Sequence, residues 1–141
     1  MVNEGQPAGR RRTMSPEEEA LSFAVDAARV AHDGKVEDVA VIDLRGLSSL
    51  ADFFVIGTGT SSRQMHAALD QIARHAKSAG RKVYRVSDTR TANWILADYV
   101  DVVIHLFDAE HRVYYDLDGL WGDAPRVNWQ AAPAGSNQAA G

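Results

Sequence analysis

The chain has 141 residues, 45% of them hydrophobic and 24% charged, with 15 Lys+Arg against 19 Asp+Glu and no cysteine. That suffices for one domain with its own core and is too little for two, and the lack of cysteine excludes disulfides, thiolate metal sites and thiol nucleophiles together. A net charge of −4 argues against a protein that wraps nucleic acid by neutralising phosphates, no apolar run approaches the ~20 residues of a membrane span, and no signal-peptide core opens the chain; the expected setting is cytoplasmic, with no membrane.

The average conceals a pattern. Residues 1–14 carry +2, 15–62 carry −6, 63–90 carry +5, 91–123 carry −6 and 124–141 carry +1. A basic stretch is therefore bracketed by two acidic ones, and an acidic segment that also holds aromatic residues suits a cationic partner.

In chain order, residues 1–14 hold Gly5, Pro7, Gly9 and Arg10-Arg11-Arg12 without apolar periodicity, which predicts a flexible arm. Ser15 as N-cap, Pro16 at the first helical position and Glu18 as the reciprocal partner of a capping box predict a helix. Its apolar stripe is Leu21, Ala24, Val25, Ala28 and Ala31, and Gly34 stops it. Val39 to Leu44 and Asp52 to Thr58 read as strands, the second buried on both faces because Phe53 to Ile56 is continuously apolar. A second helix follows from about Ser61 to Ala79, with a second capping box between Ser61 and Gln64 and an inner face of Met65, Leu69, Ile72 and Ala76. Val83 to Val86 is a strand, and Trp94 to Tyr99 and Val102 to Phe107 form a hairpin turning at Val100-Asp101. Glu110 to Trp121 is a short helix or turn-rich segment, and the stretch after Pro125 is expected to be a disordered tail, 126–141. The order predicts an α/β domain over 15–125 whose sheet is mixed and has about five strands with flanking helices.

Three groups of residues invite chemistry. Gly57-Thr58-Gly59-Thr60-Ser61-Ser62, at a strand-to-helix turn, has the shape of a phosphate cradle but lacks the P-loop lysine, and a plain N-capped turn explains it as well. Asp98 and Asp101 suggest a two-metal phosphoryl-transfer site, although a three-residue separation across a turn does not put two carboxylates on one strand face; solvated hairpin acids are the alternative. Ser61, His66 and Asp70 suggest a nucleophilic triad, but Ser61 is needed as the helix cap and no oxyanion hole accompanies it. No pair of the five histidines has the i, i+4 spacing of a helical metal site.

The stretch Trp94-Ile95-Leu96-Ala97-Asp98-Tyr99 is more informative. Alternation puts Trp94, Leu96 and Asp98 on one face of the strand and Ile95, Ala97 and Tyr99 on the other. Each face carries a large apolar group, so either helices cover both or one is spare and forms an interface. His105, in the next strand, is either a buried hydrogen-bonding residue or part of that contact face.

Asp43 to Gln64, with its run Leu50-Ala51-Asp52-Phe53-Phe54-Val55-Ile56-Gly57-Thr58-Gly59, resembles the signature of the ribosomal silencing factor (Iojap) family. Trp94-Ile95-Leu96-Ala97-Asp98-Tyr99-Val100-Asp101 through Phe107, and Tyr115-Asp116-Leu117-Asp118-Gly119-Leu120-Trp121, match its second half, so the resemblance spans about residues 15–125. Val100 departs from it, standing where the family usually has Gly. The resemblance implies a nucleotidyltransferase-like fold without that catalytic site or a cofactor, a homodimer when free, and a non-enzymatic translation regulator. It implies binding to the large ribosomal subunit through ribosomal protein fourteen, where the small subunit docks. The contact surface it implies comprises Trp94, Ile95, Leu96, Asp98 and Tyr99, with Asp101 and His105 as neighbours. Two further readings are a nucleotide-binding enzyme using Gly57 to Ser62 with Asp98 and Asp101, and a secondary ribosomal RNA contact through Arg74, Lys77 and Arg81 of the basic stretch.

Overall fold

Ser15 opens the first helix by the expected reciprocal bonds: its Oγ accepts from the Glu18 N–H at 3.1 Å, and the Glu18 carboxylate accepts from the Ser15 N–H at 2.8 Å. This helix, α1, spans Pro16–Asp33 in the computed structural model, which describes residues 13–87 and 93–131. Its buried side is rich in small residues (Ala20, Ala24, Ala27, Ala28 and Ala31 around Phe23 and Val25), which lets the helix lie close on the strands beneath. Then come β1 (Glu37–Asp43), β2 (Phe53–Gly59), α2 (Ser62–Ser78), β3 (Arg85–Ser87), β4 (Trp94–Asp98) and β5 (Val102–Asp108). Two short helices, α3 (Ala109–Tyr115) and α4 (Leu117–Leu120), and a last strand, β6 (Arg126–Val127), complete the order.

The strands form one mixed sheet in the order β3-β4-β5-β2-β1-β6. Only β2 and β5 run parallel; every other neighbour is antiparallel. The expected mixed α/β architecture is therefore present, with six strands among the described residues where about five were anticipated. The central pair is the most deeply buried part, and the unbroken apolar run of β2 is explained because both of its faces are covered. Phe53, Val55, Ile95, Ala97, Val102, Ile104 and Leu106 pack under α1 and α2. Ile42, Ile56, Val103 and Phe107 face the other way, toward α3, α4 and Trp121.

Two expectations change. Glu110 to Trp121 is not one segment: Asp116 adopts a left-handed backbone (φ 48°), ends α3 and caps α4 by accepting from the Gly119 N–H at 3.0 Å. The domain also continues past Pro125. Strand β6 pairs with β1, and Trp129 is buried beside α1, its Nε1 donating to the Val39 carbonyl at 3.0 Å while its own carbonyl accepts from Arg29. A two-residue strand carries no readable period, so composition alone assigned residues 126–131 to the tail. The arm up to residue 12 and residues 132–141 lie outside the described residues.

The β4–β5 hairpin turns as expected, but Val100 does so at φ 78°. A β-branched side chain is disfavoured there, whereas glycine is not. The turn holds because the Val100 N–H donates to the Asp98 carboxylate at 2.8 Å and the Asp101 N–H to the Tyr99 carbonyl at 3.0 Å. Two substitutions should therefore move stability in opposite directions in urea or thermal denaturation. Val100→Gly gains about 1 kcal/mol from relieved strain, and Trp129→Ala loses about 3 kcal/mol by emptying a buried ring site.

Candidate functional site

Strand pairing decides which side chains share a surface. Trp94 lies opposite Phe107, Leu96 opposite His105 and Asp98 opposite Val103. In the parallel register, Phe54 lies opposite Val103 and Ile56 opposite His105. Trp94, Leu96, Asp98, Phe54 and His105 therefore share the sheet face away from α1 and α2. Neither α3 nor α4 has a fully buried residue, so this face is only partly roofed. Trp94, Leu96, Phe54 and Trp121 remain half-buried, in a nearly continuous band of rings. Trp94 is stacked on Phe107 at 5.0 Å and tilted against Tyr115 at 4.6 Å; Phe54 meets His105 edge-on at 4.4 Å and Trp121 at 6.4 Å. Beside the band, Tyr114 and Leu120 are largely exposed, a concentration of apolar surface that marks interaction sites on soluble domains.

The expected contact residues separate along this geometry. Ile95 is 0% exposed and Tyr99 5%: alternation points both under α1 and α2, where Tyr99 meets Phe23 edge-on at 4.9 Å. The core claims them, and they are not on the open face. Asp101 is likewise turned to the helix side, where Arg81 donates to its two oxygens at 2.8 and 3.3 Å and itself lies over the Phe23 ring. His105 is on the open face but beneath its surface, at 4% exposure. Trp94, Leu96 and Asp98 are each half-buried, the Asp98 side chain 18% exposed. Asp98 accepts from the Val100 N–H and meets Arg85 only at 3.5 Å, through a guanidinium side chain that is 67% exposed. An ion pair so long, with its arginine so exposed, contributes little.

His105 explains how Trp94 is held. The Trp94 Nε1 donates to His105 Nδ1 at 3.1 Å. An indole nitrogen only donates, so Nδ1 is unprotonated and the neutral ring carries its proton on Nε2, which is buried and has no partner. Burial pushes the pKa of His105 down to about 4, with the negative charge of Asp98 pulling the other way. The sequence left His105 open between a buried hydrogen-bonding residue and part of the contact face; the strand register puts it on the Trp94 face, buried and accepting the indole hydrogen bond. Tyr115, Phe54 and Trp121 were missed as members of the band: alternation within β2 could have offered Phe54, whereas Tyr115 and Trp121 come from α3 and the end of α4, whose packing on the sheet leaves no local signal.

The competing chemistry does not assemble. In the turn after β2, Ser61 caps α2 by accepting from the Gln64 N–H at 3.0 Å. Gln64 does not complete a capping box: its Oε1 accepts from the Thr60 N–H at 2.8 Å and its Nε2 donates to the Lys35 carbonyl at 2.7 Å, so a cradle N–H is already occupied. The two glycines have packing reasons, since a Cβ at Gly57 would strike Val36 and one at Gly59 would strike Met65. Asp98 and Asp101 engage different arginines on opposite sides of the sheet. His66 bonds the Ser62 carbonyl at 2.7 Å and the Ser62 hydroxyl at 3.3 Å, not Ser61.

Residues 17–140 match the family model described as "Ribosomal silencing factor during starvation". The chain is 39% identical over 110 residues to the ribosomal silencing factor RsfS of Halalkalibacterium halodurans, covering 78% of this chain and 92% of that protein. It is 36% identical over 109 residues to the chloroplastic protein Iojap of Arabidopsis thaliana, covering 77% of this chain and 45% of that one. Among solved structures, a Chromobacterium violaceum protein superposes with a TM-score of 0.69 at 30% identity, covering 73% of this chain and 86% of that one. A Bacillus halodurans protein superposes with 0.64 at 34% identity, covering 78% and 97%.

The buried histidine has a measurable consequence. Its folded pKa, about 4, lies below the ordinary 6.5, so between these values the unfolded chain binds more protons than the native one. The stability it permits is complete above about pH 6.5 and falls as the pH drops toward 4. Urea unfolding at pH 7 and pH 4.5 should show wild type losing on the order of 2 kcal/mol more than His105→Asn, which has no proton to take up there.

Proposed function

This chain belongs to the ribosomal silencing factor family, and from that premise we propose that it represses translation by binding the large ribosomal subunit through ribosomal protein fourteen, so that the small subunit cannot join. Membership by itself implies ribosome-associated regulation of translation. The observation that carries the finer reading is the half-buried Trp94, clustered with Phe107 and Tyr115 on the partly roofed sheet face with Leu96 and Asp98 alongside.

The physics of such a contact suits the role. Ribosomal proteins are basic, and residues 91–123 carry −6, so opposite charge steers association and selects the partner more than it adds affinity. Trp94 is the anchor, packed against rings that already restrict it. Asp98 is the anion that exchanges its loose Arg85 contact for a partner arginine or lysine. The mechanism is steric and needs no catalysis: the bound domain occupies the surface that the other subunit requires. Commitment of the turn after β2 and of Asp101 to internal bonds supports a non-enzymatic role. The family resemblance also supports a cytoplasmic location and a homodimer of the free protein, which equilibrium sedimentation reads directly.

A secondary ribosomal RNA contact is supported by the outer side of α2. Arg63, Arg74 and Lys77 are exposed there, with Lys82 beyond the helix end; Arg81 is not available, being held by Asp101.

Co-sedimentation with isolated large subunits tests the main reading. Wild type should bind, Trp94→Ala should weaken binding at least ~30-fold, as truncation of a hot-spot aromatic does, and subunits mixed with wild type should yield fewer joined particles. Equal sedimentation of wild type and the Trp94→Ala, Asp98→Ala double variant sinks the assigned face. For the RNA contact, neutralising Arg63, Arg74 and Lys77 should flatten the salt dependence of binding; an unchanged salt slope removes it.

A further inference from the structure

His105 is an odd choice for its site. Phe54, Phe107 and Trp94 surround it, and any apolar side chain of similar size would fill that space. Histidine leaves Nε2 buried without a partner, which is a cost to the native state. What it adds is a single acceptor, Nδ1, facing the Trp94 indole N–H at 3.1 Å. Without that acceptor, the N–H of a half-buried tryptophan would turn outward to find water or a partner group.

We propose that His105 is a positioning residue for the partner-binding face: by accepting the indole N–H from below, it fixes the Trp94 ring so that carbon and π surface, not a hydrogen-bond donor, is offered to the partner. The inference rests on the reading of Trp94 as an interface anchor. It also deepens that reading, because it states the chemistry that recognises the ring: an aliphatic surface or an arginine or lysine side chain laid on its face, rather than a carbonyl or carboxylate aimed at Nε1. Two side contacts make the device coherent. Phe107 packs on the ring from the sheet and Tyr115 from α3, two neighbouring rings themselves 6.0 Å apart, and the hydrogen bond fixes which edge of the indole faces inward. The entropy of ordering the ring is thereby met during folding, not at binding.

Three variants of the full chain test this: His105→Phe, which removes the acceptor and keeps an aromatic ring; His105→Asn, whose Oδ1 stands where Nδ1 stood; and Trp94→Ala. Affinity for isolated large subunits is measured by co-sedimentation, and the Trp94 indole N–H is followed by nitrogen-15 NMR in the free protein, assigned by its disappearance in Trp94→Ala. His105→Phe should fold at least as stably as wild type yet bind about tenfold more weakly, with the indole resonance displaced and its heteronuclear NOE lowered; His105→Asn should restore both. Imidazole nitrogen shifts in wild type should report the Nε2-protonated tautomer. Binding by His105→Phe within twofold of wild type, while Trp94→Ala binds weakly, overturns the inference and leaves the interface standing. Failure of His105→Asn to restore binding also overturns it. If wild type itself does not bind, the interface reading has failed, and the resonance decides alone: an unmoved indole signal in His105→Phe overturns the positioning role, and a displaced, more mobile one supports it.

Discussion

Two long helices lie on one face of the sheet and two short ones on the other, and most of the molecule's behaviour follows from that inequality. Helices α1 and α2 bring a row of alanines with Phe23, Met65 and Ile72 onto the strands, so every β4 or β5 residue pointing toward them is sealed. Helices α3 and α4 are too short to do the same and bury none of their residues fully. A sheet covered in this way has one face that stabilises the fold and another whose apolar groups are only half removed from water. For side chains as large as Trp94, Phe54 and Trp121, the area left exposed is a standing reserve of binding free energy.

The half-roofed face is kept in order by contacts at right angles to one another. Tyr115 presses on Trp94 from the α3 side, Phe107 supports it from the sheet, and His105 anchors its polar atom from beneath. The unpartnered Nε2 of His105 costs about 1–3 kcal/mol, a sizeable fraction of the net stability of a small domain. Val100, at φ 78° in the turn of the same hairpin, is a second local cost close to the same surface. Departures from local optimality gather where a fold serves something besides its own stability.

Electrostatics divides the same hairpin. Asp101 is pinned by a double hydrogen bond to Arg81, which is itself stacked on Phe23, and so ties the turn to the helix layer. Asp98 turns to the other side of the sheet, where it accepts from the Val100 N–H at 2.8 Å and meets Arg85 only at 3.5 Å. Both acids therefore brace the turn, one through a paired arginine and the other through a backbone N–H, although they stand three positions apart in an equally acidic context. Arg112 performs the corresponding structural task beyond β5: it is paired with Asp118 and bonded to Thr58 Oγ1 at 3.0 Å, which fastens the short helices to the end of the sheet.

Local chemistry was legible in the chain because it depends on neighbours in sequence. The Ser15–Glu18 box, the cap at Ser61, the buried run of β2, the hairpin about Val100-Asp101 and the two-sided character of Trp94 to Tyr99 all follow from spacing and residue type, and the order of motifs was enough to indicate the family. Three features needed the tertiary structure. Alternation says that Trp94 and Ile95 point opposite ways, but only the placement of α1 and α2 says which is sealed. A two-residue strand with one buried ring, Arg126 to Trp129, has no period to read and owes its order to β1, α1 and the carbonyls around α4 that Arg126 bonds. The bond from Trp94 to His105 joins strands across a register that exists only once β4 and β5 have paired. Sequence specifies which faces a segment has; which of them meets water is decided by what packs against it.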